Sequence, residues 1–370
     1  GIPPPLGPLL ALMDGTRDEG ALEAALMLRA GVRLAPGLLS QLLADLDEAY
    51  LLDNERFAGA RAEALRESRD PPNTQVALAS SPLALPTKRA AGLSLSSGDA
   101  LPPKSASGQD KVIRGVVSPH IDYQRGGPVY AEVWRAAARA AREAELVILF
   151  GTDHQGSEGT VTLTRQSYAT PWGVLPTDGP LVGALAGVLG EEAAPAEELH
   201  HRGEHTIVMA AGGLHFVREG LPVPLVPVLM GSLADFVAIA ADPGEHEPFA
   251  AALEVLRGAM ASQRTLVVAA ADLAHMGPAF GDPRGLDFVA QAQLRNADER
   301  LLQAVYAGDA EGFFQQLRAE GDRRHVCGLP PIYLTLRLLG ETRGQPAGYA
   351  LCPADPQGMS FVSIAGVILT

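Results

Sequence analysis

The chain has few cysteines: its 370 residues contain two, Cys327 and Cys352. A disulfide framework needs several paired cysteines in an oxidising compartment, so a stapled secreted scaffold is excluded. Each thiol is left as a buried hydrophobe, a metal ligand or a nucleophile. Positive charge is also scarce, with 29 Lys and Arg against 43 Asp and Glu and a formal charge of −14. Nucleic-acid binding draws on Lys and Arg clustered on one face, and here the arginines are scattered among acids, which argues against a nucleic-acid partner. No apolar run approaches the roughly 18–20 residues of a membrane-spanning helix; LVILFG and TLVVAAA have the length of buried strands. The opening GIPPPLGPLLALMDG lacks the basic region of a signal peptide. A soluble, cytoplasmic protein without a membrane partner is expected. The sequence also lacks a P-loop, a G-x-G-x-x-G turn, a nucleophile elbow and a kinase signature.

What is present divides into three stretches. Residues 1–70 read as a helical module, with apolar residues at three- and four-residue spacing in ALEAALML and GLLSQLLADLDEAYLL, followed by the amphipathic NERFAGARAEALRES. Asp14 and Thr16 are candidate caps for the first helix, and Pro36 stands where the second would begin. Residues 71–111 (DPPNTQ, SSPLALPTK, LSLSSGD, LPPKSASGQDK) are rich in Pro, Ser and Gly and read as a linker. From 112 to 370, short β-rich runs alternate with Ala-rich helices, as in VIRGVVSPH, VYAEVWRAAARAARE, AELVILFG, PVPLVPVLMG and TLVVAAADLAH. The GGP after Arg125 reads as a turn or a helix entry. Buried strands interleaved with helices predict an α/β three-layer sandwich around a largely parallel central sheet.

Three of these strands end in a polar cluster. VVSPHIDY delivers His120, LVILFGTDH delivers His154, and VVAAADLAH delivers Asp272 and His275. In open α/β sheets the carboxyl ends of the strands form the ligand crevice, so separate strand ends bring such residues together. A lone His at a strand end is more often a hydrogen-bonded structural residue, but three independent strand ends point to one shared site. Neutral imidazole suits Zn, Fe and Cu, and Cys supplies a soft thiolate. Other histidines read as structural or surface residues: His200 and His201 in a polar loop, and His215 in an apolar, glycine-containing stretch. His325 reads either as a donor behind Cys327 or as an exposed loop residue, and Cys352, in ALCPADP, as a buried strand-end thiol.

The ordered motifs SPH, GTDH, GEHT, ADLAH and VCG resemble the Memo family, which includes proteins described as AmmeMemoRadiSam system protein B and is related to class III extradiol dioxygenases of the LigB type. The resemblance covers roughly residues 115–370. It implies that His120, His154 and Cys327 are metal ligands, that Asp272 and His275 line the site, and that Glu204 and His205 form a Glu-His motif. The first motif here departs from the family's usual PHAGY, placing Ile121 and Asp122 beside His120, and Val208 stands where an acidic residue often follows the Glu-His motif. The helical module is similar to a small winged-helix domain of the PqqD type; a helical lid or oligomerisation arm is the plainer reading.

The function so implied is a non-haem redox protein, dioxygenase-like, with Fe(II) as the cofactor and Cu or Zn as alternatives. In that reading His275 is the acid/base, with Asp272 and His205 as orienting or substrate-binding groups, acting on a small-molecule substrate, which the likeness to the dioxygenases implies is aromatic. Two other classes stay open. One is a non-catalytic metal-binding scaffold that recruits a peptide or protein, and the other is a Cys-dependent hydrolase built on Cys327, which competes directly with metal ligation by the same thiol.

Overall fold

The computed structural model describes residues 9, 12–13, 17–48 and 112–370, apart from 192–193, 195 and 240. The expected linker at 71–111 and the amphipathic stretch NERFAGARAEALRES lie outside the described residues. Two compact units divide the chain, Gly1–Pro71 and Pro72–Thr370.

In the first unit, helices α1 (Glu19–Ala30) and α2 (Leu38–Glu48) pack through a small core of Leu9, Leu12, Leu22, Leu26 and Leu39. The cap of α1 is Asp18, whose carboxylate accepts from the Ala21 N–H at 2.8 Å, and Gly31 ends the helix at a φ of 65°. The expected caps Asp14 and Thr16 lie outside the described residues; Asp18 serves because its extended backbone aims the side chain back at the first turn.

The second unit opens with β1 (Gly115–Ser118), α3 (Tyr123–Glu143) and β2 (Leu146–Thr152). Three short strands follow, β3 (Val161–Leu163), β4 (Tyr168–Thr170) and β5 (Gly173–Leu175). Next come α4 (Gly179–Leu189), α5 (His200–Gly203), α6 (Thr206–Val217), β6 (Leu225–Met230) and α7 (Ala234–Ala238). Then α8 (Glu247–Ser262), β7 (Thr265–Ala270), β8 (His275–Met276), α9 (Phe288–Ala307), α10 (Ala310–Ala319) and α11 (Leu329–Leu339) lead to β9 (Gly344–Pro353) and β10 (Phe361–Leu369). Eight strands form one sheet in the order β3-β6-β2-β7-β1-β10-β8, with β9 added on β10. The central strands β6, β2, β7 and β1 are parallel, and β3, β8, β9 and β10 run antiparallel to their neighbours.

The alternation along each central strand makes the layers. On β2, Leu146, Ile148 and Phe150 enter one core with residues of α4, α8, α9, α10 and α11, while Val147 and Leu149 enter the other with residues of α3 and α6. Full burial of such side chains is worth about 1.5–3 kcal/mol each, which leaves no solvent face for the sheet's centre. The predicted three-layer α/β arrangement is therefore present.

Two features differ from the sequence reading. Gly126, Gly127 and Pro128 are neither a turn nor the helix entry: they lie inside α3, which begins at Tyr123 after its cap Asp122. Glycine is required there by close packing, since a Cβ on Gly126 would lie 2.6 Å from Ile121 Cγ2. The long antiparallel pair β9–β10 also closes one side of the sheet, with a register shift between Ala365 and Val367.

Candidate metal centre

The parallel strands β1, β2 and β7 finish at the same edge, so the residues just beyond them meet. His120 follows β1, His154 follows β2, and Asp272 follows β7. Cys327 comes from a different direction, the turn that leads into α11. Gly328 makes that approach possible: its N–H donates to the Asp272 carbonyl at 3.0 Å, and a Cβ there would lie 2.2 Å from the same oxygen. The Cys327 carbonyl accepts from the Thr152 hydroxyl at 2.7 Å, fastening the turn to the end of β2.

The ligating atoms of His120, His154 and Cys327 all lie within 4.8 Å of one another. Cys327 Sγ is 3.2 Å from His120 Nε2, close to the ~3.4 Å edge of a tetrahedron with bonds of 2.0–2.3 Å. His120 Nδ1 sits 3.1 Å from the Ala270 carbonyl and must donate to it, which leaves Nε2 as a lone pair facing the thiol. His154 Nδ1 is 3.0 Å from Glu204 Oε2, so its Nε2 is likewise freed. Fixing the tautomer through the far nitrogen is what a metal-ligating histidine needs. The soft thiol and two imidazoles fit a borderline divalent transition metal.

Burial and charge shape the site's protonation. Burial, then the neighbouring rings of His154 and His205, lowers the His120 pKa to about 3, so this imidazole is neutral. Burial, then the carboxylates of Asp272 and Glu204, pushes the Cys327 thiol well above its usual range. A cysteine nucleophile needs the reverse, a depressed pKa, so this environment suits the hydrolase reading poorly. A cation at the thiol would deprotonate it outright.

Glu204 is the residue whose importance the sequence conveyed least. Burial opposes its charge, yet hydrogen bonds from His154 and His205 hold its carboxyl far below the usual carboxylate range. It also accepts from the backbone N–H groups of His154 (3.0 Å), His205 (2.8 Å) and Thr206 (3.2 Å). The His154 and His205 rings consequently stack, 5.4 Å apart and 10° from parallel. Adjacency to His205 in GEHT was the one available signal. Asp272 accepts from the His120 and Ile121 N–H groups at 2.8 and 3.2 Å, so it fixes the backbone that carries the first ligand.

His120, His154, His205, Asp272 and His275 line one cleft of about 470 Å³, within the roughly 300–1,000 Å³ range of small-molecule sites. Its other walls include Ile121, Met209, Phe280, Ala354 and Val362. His275 lies edge-on to Phe280, and its pKa is lowered by burial. The His205 pKa is raised, chiefly by the hydrogen bond to Glu204.

The remaining histidines fall elsewhere. His201 has both ring nitrogens engaged, by Tyr168 and the Thr162 carbonyl. His215 bonds Thr170 within the α6 packing. Two further groups of donors lie close enough for a metal: His154, Glu204 and His205, which are already hydrogen-bonded to one another through Glu204, and His200 with Asp153 and Glu197, where Asp153 Oδ2 is already served by His200 at 2.9 Å and Thr162 at 3.2 Å. His325 is exposed, with a left-handed φ of 51°. Cys352 is 3% exposed near the end of β9, its thiol directed at the Arg125 carbonyl.

The second unit and the chain as a whole are similar in sequence to known proteins. A family model described as Memo-like protein matches residues 96–367. A MEMO1 family protein of Aquifex aeolicus is 26% identical over 368 residues, covering 97% of this chain and 90% of that protein. MEMO1 family proteins of Methanosarcina acetivorans (26% over 245 residues; 65% of this chain, 80% of that protein) and Methanococcoides burtonii (27% over 228 residues; 61% and 74%) are also similar.

Proposed function

The chain belongs to the Memo family, and we propose that within it this protein binds one divalent transition metal through His120, His154 and Cys327 and uses it in dioxygenase-like oxidoreductase chemistry. The observation that carries the reading is the paired tautomer control beside one thiol: the far nitrogens of both histidines are engaged by Ala270 and Glu204, His120 Nε2 lies 3.2 Å from Cys327 Sγ, and the ligating atoms of all three residues lie within 4.8 Å of one another. Fe(II) is the metal assigned, with Cu and Zn as competitors that the same donor set accepts. When bound, Fe(II) supplies redox equivalents and positions at which a chelating substrate attaches.

The chain's own groups divide the remaining work. The apolar wall of Ile121, Met209, Phe280, Ala354 and Val362 suits a flat, largely apolar body such as an aromatic ring, while Asp122 and Arg125 supply a charged part of the same lining. His275, kept neutral by burial and hydrogen-bonded through Nδ1 to the Leu273 carbonyl at 3.2 Å, offers Nε2 as a proton acceptor. His205, whose basicity Glu204 raises, is the complementary proton donor at the same cleft. Two titratable groups pushed in opposite directions make an acid and a base available together.

The test is oxygen consumption by anaerobically Fe(II)-loaded protein over a panel of catechols. Substrate-dependent uptake that drops by about 10²–10⁴-fold in His275→Ala is expected. Full metal occupancy without uptake across the panel would replace this reading with a metal-binding role in recruiting a peptide or protein.

A further inference from the structure

Behind the cleft lies a buried ion pair that no ligand-binding role explains. Asp298, on α9, is fully buried, and Arg324, in the turn after α10, is 6% exposed. The guanidinium donates to Asp298 Oδ1 through one terminal nitrogen and to Glu320 through Nε and the other, at 2.9 and 2.6 Å. The second Asp298 oxygen accepts from the Tyr349 hydroxyl of β9 at 2.8 Å. A buried charge pair contributes little net stability, because desolvation offsets most of its attraction. Such a pair is better understood as fixing one geometry among several.

The geometry in question is that of the thiol. The Arg324 carbonyl accepts from the His275 N–H at 2.7 Å, and three residues beyond Arg324 comes Cys327. On the far side of Cys327, the Gly328 N–H donates to the Asp272 carbonyl at 3.0 Å. Two backbone hydrogen bonds therefore bracket the cysteine and tie segment 324–328 to segment 272–275. On either side of Arg324 the turn adopts left-handed φ values, 45° at Asp322 and 51° at His325, which non-glycine residues do not favour. A strained turn keeps that shape only when its surroundings over-determine it, and the fork of Arg324 ties it to Asp298 on α9 and to Glu320.

We propose that Arg324, held by Asp298, is a positioning residue that presets Cys327 for metal binding and acts by restricting the turn. The proposal rests on the metal reading above. Groups that orient ligands from behind typically change metal affinity by about 10–100-fold when removed. Arg324→Met should therefore weaken Co(II) binding by that factor, and the thiolate-to-cobalt charge-transfer band should lose intensity or shift. Arg324→Lys keeps the charge and loses the fork, so it should recover affinity only in part. Tyr349→Phe, which removes one bond to Asp298, should cost a few-fold and serves as the readout if Arg324→Met does not fold. Leu253→Ala, on the buried face of α8, is the control: it lowers stability without changing cobalt affinity.

The parent must first show a charge-transfer band that Cys327→Ser abolishes; its absence would sink the metal reading itself. If the band is present and Arg324→Met, or Tyr349→Phe in its place, binds Co(II) within twofold of the parent with an unchanged band, the positioning role is wrong. Equal loss of affinity in Leu253→Ala would also overturn it, by showing that affinity merely follows stability.

Discussion

The chemistry of single residues here is governed by which nitrogen of each histidine is occupied. His120 has one nitrogen committed to Ala270 and the other facing Cys327, and burial lowers its pKa from 6.5 to about 3. Between roughly pH 3 and 6.5 the unfolded chain therefore takes up a proton at this residue that the folded protein does not. More protons bound in the unfolded state means that stability rises with pH, so the contribution is fully present above 6.5 and is lost as the solution is acidified. Glu204, with its pKa lowered, acts in the same direction below its ordinary range, whereas His200 and His205, with raised values, act against it. The difference between variants isolates His120. Denaturant unfolding of the metal-free parent should lose about 1.4 kcal/mol per pH unit more than His120→Gln between pH 6 and 5. Parallel pH profiles for the two proteins would show that His120 titrates normally in the fold.

Among the elements, the helices covering the sheet are seated by glycines whose role is steric. A glycine in the middle of a helix ordinarily costs about 0.5–1 kcal/mol relative to alanine, so replacing it usually stabilises. Gly213, within α6, should behave in the opposite sense. A Cβ there would lie 2.2 Å from Trp134 Nε1, on a fully buried indole that donates to the Ser118 hydroxyl at 3.2 Å. Gly213→Ala is expected to lower the free energy of unfolding by about 1–3 kcal/mol, as overpacking does, with no change in metal content. A rise in the denaturation midpoint would mean that α6 and α3 can move apart freely. The strand runs VVS, LVILFG and TLVVAA were legible because central parallel strands are apolar on both faces. By contrast only the end of β9, at Cys352, was read from the sequence; the length of GQPAGYALCP was not, because its burial follows no regular alternation and its pairing with β10 is decided by tertiary contact. Gly126, Gly127 and Pro128 misled for the same reason: their breaker character is overridden by the packing of Ile121 and Tyr130.

At the scale of the whole molecule, residues distant in sequence assemble one cleft at the ends of β1, β2 and β7. His120, His154, Asp272 and His275 were visible in the sequence because each follows a recognisable strand, while Cys327 was reached only through resemblance. The Glu204 bridge and the Asp298–Arg324 pair were not visible, since a buried carboxylate or arginine looks like any surface charge until its partners are known. The central claim is that Cys327 is a ligand and His275 is not, and metal content tests it most directly. Parent, Cys327→Ser, His275→Ala and Cys352→Ser should each be loaded anaerobically with Fe(II), desalted and assayed for iron. Replacing a thiolate by a neutral hydroxyl removes both charge and a soft donor, so Cys327→Ser should come through nearly empty, while the other three retain about one equivalent. Full iron in Cys327→Ser together with its loss from His275→Ala would contradict the account and point to a centre built from His120, His154 and His275.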